Sequence, residues 1–547
     1  MVKMVKKTKL LATLMVAGAA VLLAACGKQS STSNKQVLNL SMSAPIGSLD
    51  ISKSTDFSQT GNVYESFYRL GKNGKVTPGL AKSGTVSKDG KTWTFKLRNA
   101  KWSNGTPITA KDFVYSWRRT VNPDTKSQYA YLFSSIKNAT KINAGNANPD
   151  TLGIKAEGKH TVVVSLTKPV AYFKVLMTYS LFAPQSQKVV DKYGKKYATK
   201  SQYNVYSGPF KVKDWTGTGN KWSFVKNNDY WDKKVVKLSK INYQIVSSNS
   251  TGLDLYQQNK LDLTPLSSEQ VKNYQNNKAF KQYAFAYITY LKYNFKDPNK
   301  TRRAAINNRN IRLAISLAID RNQLTKKVLG DGSTTPTGFV TSGLASDPKT
   351  GKDFGQEQKV KDRVVYDKKM AQYYWKKGMK QLGMKKLTLS VIAASDVTAS
   401  SPLTQYLKAQ LQSVLPGFTL NLQLVPQQIA DSDGKKGQFD MTVSSWGADF
   451  KDPITFLQIP ETGTSYNYGK YSNKAYDALI KKSENQDANN KEARWNDLVK
   501  ASRLFTKDQG MTPLYQQTTS YLQNPKVKGI IHNTAGEEWN FKSTYLK

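Results

Sequence analysis

Alternation of polar and apolar side chains over short stretches of the chain predicts half-buried β-strands. KTWTFKLR at residues 91–98 has this pattern, and GKHTVVVSLTKP at 158–169 is a further apolar run bounded by turn residues. Between residues 385 and 425, the strands KKLTLSVIAA and FTLNLQLV lie on either side of the helical pattern PLTQYLKAQLQSVL. A strand, a helix and a second strand in this order are typical of α/β proteins. The pattern therefore predicts an α/β fold with several layers.

Apolar residues spaced three or four positions apart predict two further helices. The first lies in TPITAKDFVYSWRRTV, where Thr109 is a suitable N-cap ahead of Phe113 and Trp117. The second is predicted as one long amphipathic helix over residues 310–330, NIRLAISLAIDRNQLTKKVLG, which ends at Gly330.

The start of the chain has the pattern of a secretory signal peptide, with lysines ahead of an apolar run at residues 10–25. This run is shorter than the roughly 20 apolar residues of a membrane-spanning helix. It ends in Leu-Ala-Ala-Cys, which resembles the lipobox of bacterial lipoproteins, and Cys26 is the only cysteine of the chain. We therefore expect a lipoprotein signal peptide at 1–25, a lipid on Cys26 and a flexible polar tether at 26–36. The alternative is an ordinary signal peptide with an incidental cysteine.

The net charge is +44, from 82 lysines and arginines against 38 acidic residues. Such an excess makes a nucleic-acid-binding protein an alternative. Against it, the chain carries an export signal, its basic residues are scattered, and only twelve of them are arginine, the residue best suited to bidentate phosphate contacts. A lysine-rich surface beside an anionic cell envelope explains the charge better. We expect no nucleic-acid partner, and a location at the outer face of the cell membrane in a Gram-positive-type envelope.

Five longer stretches carry a more specific pattern: VYESFYRLGKNGKVTPGLAKSGTVSKDGKTWTFKLRNAKWSNGTPITAKDFVYSWRR (63–119), YSGPFKVKDW (206–215), NIRLAISLAIDR (310–321), FDMTVSSWGADFKDPITFLQ (439–458) and TPLYQ (512–516). In this order they resemble the extracellular solute-binding protein family 5, and most of all the oligopeptide-binding lipoproteins of bacterial ABC importers. The resemblance covers nearly the whole chain after the signal peptide.

The resemblance implies a two-lobed periplasmic-binding-protein-like fold that closes on its ligand by a hinge. A chain of 547 residues is also too long for one hydrophobic core, which stops growing at about 250–300 residues. In this family the first lobe is discontinuous and carries a large inserted subdomain. We therefore expect these boundaries: lobe one at 37–56, 198–292 and 514–547, the inserted subdomain at 57–197, and lobe two at 293–513.

The resemblance also implies the ligand-binding residues. Asp449, in the stretch SSWGADF, corresponds to the acid that pairs with the α-amine of a bound peptide. Trp446, Gly447 and Ala448 are expected to pair with the peptide backbone and to form one wall of the site. Gly47 is expected on the opposite face, and Tyr129 corresponds to a tyrosine of the cleft. These residues therefore form the predicted site.

One departure and two structural alternatives accompany this prediction. Some relatives carry an arginine three positions before the tryptophan, where this chain has Val443. Trp446 could be a core residue, and Asp449 could be a helix cap. However, Asp452 directly precedes Pro453, and an aspartate cap with proline at the first helical position is the better local fit. This leaves Asp449 free for a ligand.

An enzyme is the competing class of protein. The chain has no GxSxG or HExxH motif and only two histidines, so we expect no catalysis and neither a metal nor a cofactor. The expected partners are oligopeptides, an ABC permease with its ATPase subunits, and the membrane through the lipid; the protein is expected to be a monomer. A peptide pheromone sensor on the same fold is the alternative function. A nickel-binding role within the family is disfavoured by the shortage of histidine.

Overall fold

The computed structural model describes residues 36–547. The predicted signal peptide, Cys26 and all but the last residue of the predicted tether lie outside the described residues. No helix within residues 36–547 is both long and apolar enough to cross a membrane.

The strands of the described chain are β1 (Val37–Met42), β2 (Tyr68–Leu70), β3 (Val76–Pro78), β4 (Ala81–Val86), β5 (Thr92–Leu97), β6 (Ile154–Glu157), β7 (Thr161–Ser165), β8 (Phe210–Lys213), β9 (Lys221–Lys226), β10 (Lys240–Ile245), β11 (Leu263–Pro265), β12 (Phe280–Tyr293), β13 (Leu387–Ala394), β14 (Phe418–Val425), β15 (Met441–Gly447), β16 (Met511–Gln523), β17 (Val527–Lys528), β18 (Ile531–His532), β19 (Trp539–Asn540) and β20 (Tyr545–Leu546).

The α-helices of the described chain are α1 (Phe57–Val63), α2 (Ala110–Val121), α3 (Ala139–Asn143), α4 (Phe173–Leu176), α5 (Gln187–Tyr193), α6 (Asn249–Gln257), α7 (Ser268–Tyr274), α8 (Lys300–Asn307), α9 (Arg309–Ala318), α10 (Arg321–Gln323), α11 (Phe354–Glu357), α12 (Lys368–Leu382), α13 (Ser400–Val414), α14 (Gln427–Lys436), α15 (Ile454–Leu457), α16 (Lys474–Glu484) and α17 (Lys491–Asp508). A π-helix follows α10 at Leu324–Leu329.

A ten-stranded sheet runs through the molecule in the order β14-β13-β15-β12-β16-β11-β1-β10-β9-β8. At one end, β13 pairs in parallel with both β14 and β15. At the other end, β1 pairs in parallel with both β10 and β11. The predicted unit of strand, helix and strand is confirmed as β13, α13 and β14.

Two long strands, β12 and β16, connect the two halves of this sheet. They pair with each other over most of their length, and their register shifts between Ala284 and Ile288. On one side of this shift β16 pairs with β11, and on the other side β12 pairs with β15. A register shift locally disrupts the ladder and bends the strand. The two halves therefore meet at an irregular segment of β12 and β16.

Residues 57–197 contain a separate four-stranded sheet, β4-β5-β7-β6, with α2 packed against it. The predicted strands at 91–98 and 158–169 are confirmed as β5 and β7. The predicted cap of α2 is also confirmed, because Thr109 and Asp112 form a capping box. Phe113 and Trp117 of α2 are fully buried in the core of this region.

The single helix predicted over 310–330 is wrong. Helix α9 ends at Ala318, and Ile319 has an extended backbone. The side chain of Asp320 then accepts hydrogen bonds from the backbone of Asn322 and Gln323 and begins α10. An aspartate that caps a new helix competes with the continuation of the preceding one. The predicted end is right, since Gly330 adopts the left-handed conformation after the π-helix.

Residues 57–197 also contact the half of the molecule that contains β13–β15. The ring of Tyr172 stacks on Phe450, with centroids 4.4 Å apart. Lys168 forms an ion pair of 3.3 Å with Glu484 on α16. These contacts connect residues 57–197 to the half of the molecule that contains β13–β15. The predicted domain boundaries themselves stay a prediction.

Candidate functional site

A cavity of about 610 Å³ lies between the two halves of the large sheet. One wall comes from the end of β1, the start of α1 and the segment that contains Glu538 and Trp539. The opposite wall is the end of β15 with the segment Gly447–Asp449. Because the walls belong to different halves, a ligand in this cavity contacts both.

Two hydrogen bonds donated by main-chain N–H groups hold Asp449 at the end of β15. The N–H of Ala448 donates to the carbonyl of Ala286 on β12 at 2.8 Å. The N–H of Asp449 donates to the hydroxyl of Thr455 at 3.0 Å. The carboxyl oxygen Oδ2 of Asp449 is buried and has no hydrogen-bond partner among residues 36–547. A buried carboxyl oxygen that accepts no hydrogen bond destabilises the folded protein. Oδ2 of Asp449 is therefore available to accept a hydrogen bond from a ligand.

Asp452, three residues further along, has the structural role. Its Oδ1 accepts a hydrogen bond of 3.0 Å from the N–H of Ile454 at the start of α15. Arg494 on α17 donates to both of its carboxyl oxygens, at 2.7 and 2.8 Å. Asp452, and not Asp449, therefore bonds the start of α15 as predicted, but Pro453 is the N-cap and not the first helical residue. Asp449 is therefore not needed for capping or for an ion pair.

The surroundings of Asp449 are aromatic and poorly hydrated. Burial raises the pKa of its carboxyl from 3.8 to about 6, which the neighbouring Tyr131 hydroxyl partly offsets. Burial, and then the charge of Asp449, raise the pKa of the hydroxyls of Tyr129, Tyr131 and Tyr466. A carboxylate surrounded by tyrosine rings is suited to a small cation, because the ring faces also attract positive charge.

The structure brings four of the predicted ligand residues together. Gly447, Ala448, Asp449 and Tyr129 all line the cavity between the halves. At Gly447 a side chain would clash, because an added Cβ would lie 2.8 Å from the ring of Tyr287. A glycine is therefore required there by the packing of β15 on β12.

The other two predicted residues lie elsewhere. Trp446 lines a neighbouring cavity, and its ring packs against Tyr466 with centroids 4.9 Å apart. Gly47 is exposed and belongs to the lining of neither cavity. Leu40–Ser43, at the end of β1, occupy the part of the wall for which Gly47 was predicted. The ligand contacts of Trp446 and Gly47 stay predictions.

The sequence did not indicate Glu538, which faces Asp449 from the opposite wall of the cavity. It follows Glu537, whose carboxyl is held by Arg69 at 2.7 Å. Burial raises the pKa of Glu538 to about 8, and the nearby charge of Asp56 adds to the shift. No motif surrounds Glu538 in the sequence, so only the fold reveals it.

Tyr179 was also missed, although its hydroxyl is buried without a partner among the described residues. Burial, and then the charges of Asp449 and Glu538, raise its pKa, so it lies near both carboxyls. Gly536 packs directly on its hydroxyl at a positive φ of 83°, and an added Cβ would lie 2.6 Å from that oxygen. The cavity therefore has a carboxyl on each wall, and the hydroxyl of Tyr179 is buried near both.

A second cavity, of about 820 Å³, continues along the edge of β15. Strand β13 pairs with β15 only at Met441 and Thr442. The following edge of β15, residues 443–447, is unpaired on that side within the described strands, and residues 442–446 line the cavity. An unpaired strand edge can accept an additional strand. Gly447 lines the first cavity and the adjacent Trp446 lines the second, and we refer to the two cavities together as the groove.

Within residues 36–547, no group of three or more His, Cys, Asp and Glu side chains is placed to hold a metal ion. The polar groups of the groove are carboxyls, tyrosine hydroxyls and main-chain groups. Their arrangement suits a ligand with a cationic end and an extended backbone.

Comparison with known proteins identifies the family. The pattern described as bacterial extracellular solute-binding proteins, family 5 Middle, matches residues 75–468. The chain belongs to this family. The predicted family and its two-lobed α/β fold are thereby confirmed. The family is described as one of extracellular solute-binding proteins.

Several members of solute-binding protein family 5 resemble this chain over nearly its whole length. A dipeptide-binding protein of Lactococcus lactis subsp. cremoris is 40% identical, over 97% of this chain and 98% of the relative. The solved structure of Listeria monocytogenes OppA bound to peptide is 39% identical, with a TM-score of 0.75, over 94% of this chain and 100% of that chain. The pheromone receptor PrgZ is 36% identical, with the same coverage and a TM-score of 0.75.

Proposed function

We propose that this protein binds oligopeptides at the outer face of the cell membrane and delivers them to an ABC permease with its ATPase subunits. The proposal is supported by similarity to a dipeptide-binding protein and to a peptide-bound OppA. It is also supported by the cavity between the two halves and by the second cavity beside the unpaired edge of β15. In this role the protein binds and releases its ligand without chemical change, and it needs no cofactor.

The single observation that carries the proposal is the carboxyl oxygen Oδ2 of Asp449, which is buried at the cavity between the halves without a hydrogen-bond partner among the described residues. Every free peptide has an α-ammonium group, whatever its sequence. An ammonium beside Asp449 supplies the missing hydrogen-bond donor and neutralises the buried charge. Asp449 therefore recognises a group that all peptides share. The side chains of the peptide occupy the remaining volume of the groove.

The backbone of the peptide is the second shared feature. The unpaired edge of β15, at residues 443–447, offers main-chain donors and acceptors to an extended chain. Binding by strand addition gives affinity without dependence on sequence. Trp446, whose indole N–H is buried without a partner in the described chain, adds a donor beside this edge. We assign peptide-backbone binding to this edge.

We further propose that a lipid on Cys26 anchors the protein and that residues 26–36 act as a tether. Two acyl chains hold a protein at a membrane far more firmly than one, since each buried methylene contributes about 0.8 kcal/mol. The anchored protein is expected to act as a monomer in a Gram-positive-type envelope.

The decisive experiment compares Asp449→Asn and the parent protein against peptides with a free and an acetylated N-terminus, by calorimetric titration. Removing one partner of a buried charge pair costs about 3–5 kcal/mol, which is about a hundred- to several-thousand-fold in affinity. The two changes remove the same pair, so they should be nearly equivalent and should not add. Glu538→Gln is the control, because it alters a buried carboxyl of the same cavity on the opposite wall. It should keep the preference for a free amine.

Two results would count against this assignment. If acetylated peptides bind the parent as tightly as free ones, Asp449 does not hold the amine. If Asp449→Asn lowers the affinity for both peptides equally while the parent still prefers the free amine, Asp449 has a structural role and another group binds the amine.

A peptide sensor is the second candidate function, and the similarity to the pheromone receptor PrgZ supports it. Uptake of a labelled peptide by cells with and without this protein separates the two roles. An importer subunit is expected to be required for uptake of many peptides. A sensor is expected to leave bulk uptake unchanged and to bind one peptide far more tightly than mixed ones.

A further inference from the structure

Helix α12 (Lys368–Leu382) is held firmly on the half of the molecule that contains β13–β15. One face of the helix is buried, through Ala371, Trp375, Gly378 and Met379. At Gly378 the helix approaches α9 so closely that an added Cβ would lie 2.7 Å from the side chain of Ile311. The indole N–H of Trp375 donates to the carbonyl of Pro416 at 2.8 Å. These contacts fix the orientation of α12, so its other face is presented to solvent.

Large apolar side chains lie on this solvent-exposed face. Met370 is 38% exposed and Tyr373 is 56% exposed. The two residues are three positions apart, so their side chains are neighbours on the helix surface. Directly before the helix, Val365 and Tyr366 are 37% and 43% exposed. Single exposed apolar residues are common, but a cluster of large ones indicates a contact surface.

Lysines surround these apolar side chains. Residues 368–386 contain seven lysines and no acidic residue. All seven are exposed: Lys368, Lys369, Lys376, Lys377, Lys380, Lys385 and Lys386. None of them forms an ion pair with another residue of the described chain. The adjacent Asp367 is used as the helix cap, since its carboxyl accepts a hydrogen bond of 2.9 Å from the N–H of Met370. We refer to Met370, Tyr373 and the five lysines of α12 together as the α12 face.

We propose that the α12 face binds the anionic surface of a lipid bilayer. A helix that carries lysines together with exposed aromatic and apolar side chains is suited to a membrane interface. The lysines attract anionic headgroups, while the ring of Tyr373 and the side chain of Met370 enter the headgroup region. A polyanion without apolar groups, such as a wall polymer, would use the lysines but leave Met370 and Tyr373 in water. The combination of charge and apolar side chains therefore favours a lipid surface.

This inference is independent of peptide binding and uses only the proposed location at the membrane. The predicted tether at 26–36 precedes β1, which belongs to one half of the large sheet, whereas α12 packs on the other half. Contact at the α12 face would therefore add a second attachment point and restrict the rotation of the tethered protein above the bilayer. Each lysine beside an anionic bilayer strengthens binding by about fivefold, so three of them contribute about 100-fold.

The test labels the intact, processed protein with a fluorophore at Tyr373→Cys. Cys26 is the only natural cysteine and the predicted lipid site, so the introduced thiol is labelled selectively, and the parent treated in the same way is the blank. The protein is reconstituted with vesicles of phosphatidylcholine, with or without phosphatidylglycerol, whose acyl chains carry a bromine quencher. The label at position 373 should be quenched on the anionic vesicles and much less on the neutral ones, and added salt should reduce the quenching. A label at Val86→Cys, on β4 where the natural side chain is 47% exposed, should not be quenched on either.

A charge variant tests the role of the lysines in this contact. Removing three of them together, by Lys376→Gln, Lys377→Gln and Lys380→Gln, should lower the ratio of quenched to unquenched label by about 100-fold. The matched control removes the same charge from three exposed lysines elsewhere, by Lys82→Gln, Lys88→Gln and Lys91→Gln. This control should keep the quenching of the parent within about twofold.

Several results would overturn the inference. Absence of quenching at position 373 on anionic vesicles would show that the α12 face does not contact the bilayer. An equal loss of quenching in both charge variants would show that net charge, and not this face, attracts the protein. A change in the emission of the label with protein concentration, without lipid and with no quenching on vesicles, would assign the face to a second copy of the chain. A change on addition of soluble poly(glycerol phosphate), again without quenching on vesicles, would assign it to an anionic polymer.

Discussion

Asp449→Asn is predicted to make the protein without ligand more stable while it weakens peptide binding. Burial raises the pKa of this carboxyl from 3.8 to about 6. A group whose pKa is raised by folding binds its proton more tightly in the folded protein than in the unfolded chain. Below about pH 3.8 the carboxyl is protonated in both states, so folding carries no penalty. The penalty grows as the pH rises from about 3.8 to about 6 and is constant above that range.

The size of the penalty follows from the shift of about two pH units, at about 1.4 kcal/mol per unit. At neutral pH the buried charge therefore costs up to about 3 kcal/mol. Opening of the cleft in solution hydrates the carboxylate, so this value is an upper limit. Asparagine has nearly the same shape and cannot ionise. For a chain of this length, 3 kcal/mol corresponds to about 3 °C in the midpoint of thermal unfolding.

The assay is thermal unfolding of the parent and Asp449→Asn at about pH 7.5 and about pH 4, followed by calorimetry. Bound peptides must first be removed by unfolding and refolding, because a ligand stabilises the folded state. We expect the variant to unfold about 3 °C higher at neutral pH and at the same temperature as the parent at acid pH. With saturating peptide the order should reverse at neutral pH, since the parent then gains the binding energy.

Two results would refute this reasoning. A variant less stable than the parent at neutral pH, without ligand, would show that Asp449 has a stabilising partner in the folded protein. A difference in stability that does not change between the two pH values would show that ionisation of the carboxyl is not its cause. Either result would remove the argument that the groove holds an uncompensated charge for a ligand.

Three further predictions concern the closed state, the cap and the anchor. Tyr172→Ala removes the stacking on Phe450. The ligand-free variant should therefore show a larger radius of gyration by small-angle scattering, and saturating peptide should restore the parent's value. An unchanged radius in all states would contradict closure by this contact. Arg494→Met leaves Asp452 buried without its cation. The free energy of unfolding, measured with denaturant, should fall by about 3–5 kcal/mol. A fall below about 1 kcal/mol would mean that the ion pair is not needed for stability. Cys26→Ala should release the protein into the medium or leave an uncleaved precursor; a variant that fractionates with membranes at the mass of the processed parent would refute the lipobox assignment.

The strands and caps were predictable because their signals are local. Alternation identifies β5 and β7, and the capping box of α2 needs only Thr109 and its neighbours. The break between α9 and α10 was missed because apolar spacing continues across it. The deciding factor is the Asp320 side chain, which bonds forward to a new helix. Amphipathic spacing therefore indicates which face is buried, but not whether the backbone is continuous.

The site was only partly predictable. Asp449 and its neighbours lie in one short stretch that resembles the family, so the sequence indicates them. Glu538 lines the cavity and Tyr179 lies close to its carboxyls, and both come from distant parts of the chain through contacts that have no local pattern. Such residues are defined by the packing of strands that are far apart in sequence.

The central claim is that this protein binds peptides. Native mass spectrometry of the protein purified from its own cells tests it most directly, because a ligand that closes the groove is expected to remain bound during purification. The account predicts bound masses that denaturation releases and that fragmentation identifies as peptides with free N-termini. A protein that carries only a solute of another class, and that does not exchange it for added peptides, would contradict the claim.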